Sequence, residues 1–184
     1  MAVKKGKLKK WFAIIAPKYF GEKEIGTTLA SEESSLIGRR IEVSPVELTN
    51  DMSKYYMKLI FKITKVEGEK AFTEFDGSEC MRDYISRMVL HKVRRIDVIQ
   101  DLVTKDGKKI RVKSLAIARK KMTSSIEKVV RKEIEKMMKE IVENSLLEEF
   151  VKKILSDEIK NKILKEIKKI YPLRNFEIRK TEML

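Results

Sequence analysis

Apolar and polar positions follow two periods along this chain, close to two as far as residue 121 and close to 3.6 beyond it. Residues 55–66 carry the clearest alternation. Tyr55, Met57, Leu59, Phe61 and Ile63 face away from Tyr56, Lys58, Ile60, Lys62 and Thr64, which predicts a half-buried strand. Glu67-Gly68-Glu69-Lys70 is a turn and residues 71–75 return as a second strand, with 76–80 read as a loop. Upstream, Ile25-Gly26-Thr27-Thr28-Leu29 predicts a short strand, and residues 36–43 a strand bent at Gly38. Ser44-Pro45-Val46-Glu47 predicts a helical turn with Ser44 as cap and Pro45 first, ended by Asn50-Asp51. Residues 82–90 place Tyr84, Ile85, Met88 and Val89 at helical spacing.

The stretch from Arg94 to Lys113 reads as a hairpin. Asp106-Gly107 between β-branched runs supplies the positive φ that tight turns need. A two-residue loop would set Leu102 against Arg111. A three-residue loop, Lys105-Asp106-Gly107 with Gly107 left-handed, sets Leu102 against Ile110 and Asp101 against Arg111, matching apolar with apolar and anion with cation. Ile110 and Val112 then point inward, and Lys109, Arg111 and Lys113 form a row about 6.6 Å apart at about 3.3 Å rise per residue. Arg111 is partnered by Asp101, which leaves Lys109 and Lys113 as the freer cations.

From Met122 three amphipathic helices are predicted. The first begins with a Ser124/Glu127 capping box and carries Ile126, Val129, Val130, Ile134, Met137, Met138, Ile141 and Val142 on one stripe. The second begins with a Ser145/Glu148 box, and the third is capped by Ser156 and stopped by Tyr171-Pro172. Phe176 and Ile178 alternate in a last strand that rejoins the sheet. The class is α+β: a small antiparallel β-barrel-like core, three consecutive C-terminal helices and a final strand. Residues 1–10 read as a flexible basic arm, 11–121 as the β-rich core and 122–184 as the helical part with its terminal strand. Trp11, the single tryptophan, is expected to anchor its segment in the core, with stacking on RNA bases the other reading.

Charge changes this picture. The 184 residues carry a formal net charge of +14. Residues 87–121 hold 12 Lys and Arg against 3 Asp, and the first ten residues hold 5 Lys and no acid. Localised positive charge points to a polyanion. One Cys (Cys80) and one His (His91) exclude an internal disulfide and leave too few ligands for a zinc site. No phosphate loop, dinucleotide fingerprint or nucleophile elbow is present, so no catalytic residue and no cofactor is assigned. No apolar run approaches a membrane span, and the 11–16 run stops at Pro17, too short for a secretory leader.

Several blocks, in this order and spacing, carry a resemblance: Trp11 with Ala16-Pro17-Lys18-Tyr19-Phe20; Ile25-Gly26-Thr27-Thr28-Leu29; Gly38-Arg39 with Glu42-Val43-Ser44; Leu48-Thr49-Asn50-Asp51; Arg82-Asp83; Arg95-Ile96-Asp97-Val98 through Thr104-Lys105-Asp106-Gly107; Ile170-Tyr171-Pro172-Leu173; and Ile178-Arg179-Lys180 with Met183-Leu184. Along nearly its whole length the chain resembles the archaeal and eukaryotic small-subunit ribosomal protein called S-three-a in eukaryotes and S-one-e in unified naming. The resemblance implies a structural protein of the subunit platform, near the messenger exit and the 3′ end of the small-subunit ribosomal RNA, with no cofactor and no catalysis. Its partners would be that RNA, neighbouring platform proteins and messenger RNA near the exit, in the cytoplasm. The long extensions of eukaryotic members are missing, which favours the archaeal form.

The residues expected to bind RNA are Lys4, Lys5, Lys7, Lys9, Lys10, Arg39, Arg40, Lys92, Arg94, Arg95, Lys109, Arg111, Lys113, Arg119, Lys120 and Lys121. They would neutralise and position phosphates, with few base-specific contacts. The alternatives are a free RNA- or DNA-binding module such as a chaperone, and a nucleic-acid-processing enzyme, for which no motif supplies a nucleophile or base.

Overall fold

The computed structural model describes residues 8–91 and 93–184, so the expected RNA contacts Lys4, Lys5, Lys7 and Lys92 lie outside the described residues. Eight strands and five α-helices make a mixed α and β protein, in two compact units. The first comprises residues 8–55 and Leu59–Asp76; the second, Tyr56–Lys58 and Gly77–Leu184.

In the first unit β1 (Lys10–Ile15) pairs antiparallel with β2 (Glu24–Ala30) and parallel with the early part of β5 (Lys70–Cys80). β5 also pairs with β4 (Met57–Glu67), which pairs with β3 (Arg40–Val43). The alternation read in β4 holds, with Met57, Leu59, Phe61 and Ile63 all buried. Phe12, Ala30, Leu36, Ile63 and Ala71 form one core cluster. Phe61 meets Phe20 and Phe75 edge to face. The short helix α1 (Pro45–Thr49) starts as expected: Ser44 Oγ accepts from Val46 N at 3.4 Å, and Asn50 ends it at φ 58°.

In the second unit the last residues of β5 pair with β8 (Leu173–Met183), β8 with β7 (Lys109–Ala118), and β7 with β6 (Arg95–Val103), all antiparallel. α2 (Arg82–Met88) follows β5, and the three expected helices are α3 (Ser124–Glu143), α4 (Leu147–Leu155) and α5 (Glu158–Ile167). α3 packs on β6, where Gln100 Nε2 donates to Glu135 O at 3.1 Å, and α5 packs on β8. Burial of Val130, Ile134, Met137, Met138, Ile141 and Val142 follows the stripe read from the sequence, from which Val129 departs by being exposed.

Four expectations need correction. The strand sets are open rather than closed into a barrel: among the described residues the pairings end at β2 and β3 in the first unit and at β6 in the second. β1–β2, β4–β5 and β6–β7 are neighbours in sequence as well as in the sheet, but a parallel β1–β5 pair and a β8 inserted between β5 and β7 replace the meander that would close. Residues 76–80 are strand, because Gly77, Ser78 and Glu79 pair with Glu182, Thr181 and Lys180. Residues 36–39 lie outside β3, which starts at Arg40. Neither expected capping box forms, and Ser156 does not cap α5: the N-cap position is Asp157, and Ser156 Oγ donates back to Lys153 O. Glu127 is drawn to Arg94 and Arg131, while α4 is capped one residue later, with Glu149 Oε2 accepting from Leu146 N at 3.3 Å.

Candidate nucleic-acid interface

The β6–β7 hairpin has the three-residue loop and the register read from the sequence. Leu102 faces Ile110, Asp101 faces Arg111, Gly107 has φ 77°, and Gly107 N donates to Thr104 O at 2.9 Å. Arg111 is bidentate on Asp101, its Nε and Nη2 donating at 2.6 and 2.7 Å. Each partner holds the other's charge: the Asp101 carboxyl lies below its ordinary value and the Arg111 guanidinium above.

The cationic row is nevertheless different from its sequence reading. β7 is an inner strand, and β8 delivers carboxylates alongside it. Lys113 Nζ donates to Glu182 Oε2 at 2.7 Å, so Lys113 is not one of the freer cations. Lys180 pairs with Glu182 at 2.9 Å and with Glu79 at 3.4 Å. Asp101, Arg111, Glu182, Lys113, Lys180 and Glu79 thus form a network of three anions and three cations across four strands that sums to zero. Hydrogen bonds from Lys113 and Lys180 pull the Glu182 carboxyl down to about 2. Of the row, Lys109 alone stays exposed with no ion pair among the described residues.

Other expected contacts are also occupied. Arg40 pairs with Asp76 at 2.6 Å, Arg94 with Glu127 at 2.6 Å, and Arg95 with Asp97 at 2.8 Å. The Arg94 and Arg131 hydrogen bonds hold the Glu127 carboxyl below its ordinary value. Arg39 is pinned by Ser35 O, Thr28 Oγ1 and Leu29 O at 3.0–3.1 Å, yet its side chain remains exposed.

Unpaired cations collect elsewhere in the second unit. Arg119, Lys120 and Lys121 form the exposed connection from β7 to α3. Arg119 N donates to Pro172 O at 3.1 Å, and Tyr171 Oη donates to Lys121 O at 2.9 Å. These bonds bring the connection against the turn between α5 and β8, where Lys168 is exposed, and against the start of β8, where Arg174 is exposed. Ala118 faces Leu173 and its N donates to Arg94 O, so the start of β6 joins the same corner. Sequence reasoning missed Lys168 and Arg174, because only the β7–β8 pairing brings them within reach of residue 119. Lys9 and Lys10 are exposed where β1 begins in the first unit.

A buried polar cluster in the second unit looks structural. Glu177, 5% exposed, accepts from Tyr84 Oη at 3.1 Å and pairs with Lys160, and Tyr56 stacks on Tyr84 at 3.8 Å. Burial and the Glu177 charge push the Tyr84 hydroxyl up to about 12, so it stays a proton donor to that carboxylate. Among the described residues no group of His, Cys, Asp and Glu is arranged to hold a metal ion. None of the helices is long and apolar enough to cross a membrane.

Strands, helices and charges together define a mixed α and β protein whose unpaired cations gather at strand ends and connections. The Ribosomal S3Ae family model matches residues 1–184, and the chain belongs to that family. It is 41% identical over 180 residues to small ribosomal subunit protein eS1 of Sulfurisphaera tokodaii, covering 98% of this chain and 93% of that one. Against the eS1 protein of Saccharolobus islandicus the identity is 38% over 180 residues, with 98% and 86% covered. For Archaeoglobus fulgidus it is 38% over 179 residues, with 96% and 85% covered.

Proposed function

We propose that this chain is a structural constituent of the small ribosomal subunit, seated on the platform near the messenger exit, and that it binds ribosomal RNA through the corner formed by Arg119, Lys120, Lys121, Lys168 and Arg174. Family membership and the name shared by its relatives support the ribosomal assignment. The observation that carries the RNA contact is the convergence of exposed cations from two segments far apart in sequence, none of which makes an ion pair among the described residues. Phosphate oxygens are the natural counter-charges for such a group, and shape and backbone rather than base edges are read in structured RNA. The basic residues at 4–10 act as an additional arm along the RNA, and Lys109 is an outlying contact. Neighbouring platform proteins and messenger RNA are further partners, in the cytoplasm. The neutral charge network on β5, β6, β7 and β8 is a stability element rather than the main binding surface.

Cosedimentation tests the ribosomal assignment. The chain is expected to travel with small subunits and to stay with them through a high-salt wash. Recovery in subunit-free fractions alone would overturn it.

A further inference from the structure

Trp11 does not anchor the core as its sequence context led us to expect. The side chain is 62% exposed, whereas the next residue, Phe12, is buried. This is a consequence of strand alternation: β1 sends Phe12 and Ile14 into the first unit and turns Trp11 outward, and only a register shift after Ile14 buries Ile15 as well. The register places Leu29, 39% exposed, directly opposite Trp11. Leu29 O and Thr28 Oγ1 hold the Arg39 guanidinium at 3.1 Å through Nη1, and its Nη2 makes no hydrogen bond among the described residues. Lys9 and Lys10 precede Trp11 on the same segment, exposed and without ion pairs among the described residues. The carboxylates of Glu32 and Glu33 follow β2, so the patch is only weakly cationic. Affinity there has to come chiefly from the ring.

We infer that Trp11 is a stacking platform for an unpaired base of single-stranded RNA, with Lys9, two residues before it, and Arg39 placed for the adjoining phosphates. An exposed indole flanked by an ammonium and a guanidinium matches what a splayed nucleotide offers, a π-face joined to an anion. A duplex offers the anions but keeps its bases stacked, so it does not satisfy the ring. This inference rests on the RNA-binding reading and adds a mode and a site to it, on a different unit from the basic corner.

Trp11 is the only tryptophan, so its emission reports this site alone. The full chain is titrated with end-labelled oligouridylate and with an RNA duplex of equal phosphate content, following anisotropy for binding and tryptophan emission for stacking. Emission is expected to be quenched by the single strand and little changed by the duplex. Trp11→Ala is expected to weaken oligouridylate binding roughly tenfold without altering its salt slope, and Trp11→Phe to restore most of it. Binding with unchanged emission, equal quenching by the duplex, or wild-type affinity in Trp11→Ala overturns the inference and leaves the RNA-binding reading standing; the first of these is the behaviour of a face meant for a neighbouring protein. Failure to bind either RNA overturns both.

Discussion

Lys113 on β7 and Glu182 on β8 are joined by a 2.7 Å hydrogen bond, and that bond removes from the binding surface one of the two cations that local sequence marked as freer. The pair is only partly exposed, at 22% and 35% of the two side chains, and Lys180 approaches the same carboxylate from along β8. A charged group tied in this way contributes to holding strands together. It is poorly placed to exchange its partner for a phosphate.

Acid stability should report this network. Glu182 titrates near 2 in the folded protein against an ordinary value of 4.5. The folded carboxyl is depressed, so its contribution is complete above the ordinary range and is lost as pH falls from about 4.5 toward 2. Urea unfolding followed across that window is expected to show this loss. Glu182→Gln should flatten that limb and lower stability at neutral pH by about 1 kcal/mol.

Gly77 is required by proximity rather than by its own backbone. A Cβ there would lie 2.2 Å from Thr181 O, inside any permitted contact. Gly77→Ala must push β5 from β8 and disturb the neighbouring bond, where Ser78 N donates to Thr181 Oγ1 at 2.9 Å. The expected loss is about 2–3 kcal/mol, measured by denaturant unfolding, with faster hydrogen exchange at Ser78.

The hairpin loop also serves a helix. Asp106 Oδ2 accepts from Leu147 N at 2.9 Å in the first turn of α4, and Lys105 N donates to Ser145 O at 3.2 Å. A side-chain acceptor supplied from another element replaces the local cap expected at Ser145. Asp106→Ala is expected to cost about 1 kcal/mol and Asp106→Asn less, read by thermal unfolding.

Legibility in the sequence followed the distance of each residue's partner. The hairpin register was readable because Asp101, Leu102, Ile110 and Arg111 are near neighbours and their pairings could be compared directly. The helices were readable because each buries one stripe of its own residues. Residues 76–80 were not, since Asp76, Gly77 and Ser78 have local loop character and are made strand by a partner about a hundred positions away. Glu127 shows the same limit: its spacing from Ser124 fits a cap, but Arg94 takes the carboxylate. For the interface, the density of Lys and Arg in 87–121 marked the region. It could not distinguish cations met by carboxylates of β8 and α3 from those left open at residues 119–121. Trp11 was misjudged because an indole among apolar neighbours reads as core, while the strand phase turns it outward.

The salt dependence of binding to small-subunit ribosomal RNA separates the two basic surfaces most directly. Replacing Arg119, Lys120 and Lys121 together by Gln is expected to lower the slope of log affinity against log salt by roughly two to three units. Replacing Lys109, Arg111 and Lys113 should lower it by about one at most, while destabilising the fold by leaving Asp101 and Glu182 without their partners. The opposite pattern, a full loss of slope from the β7 row and none from the corner, would contradict the placement of RNA at the corner.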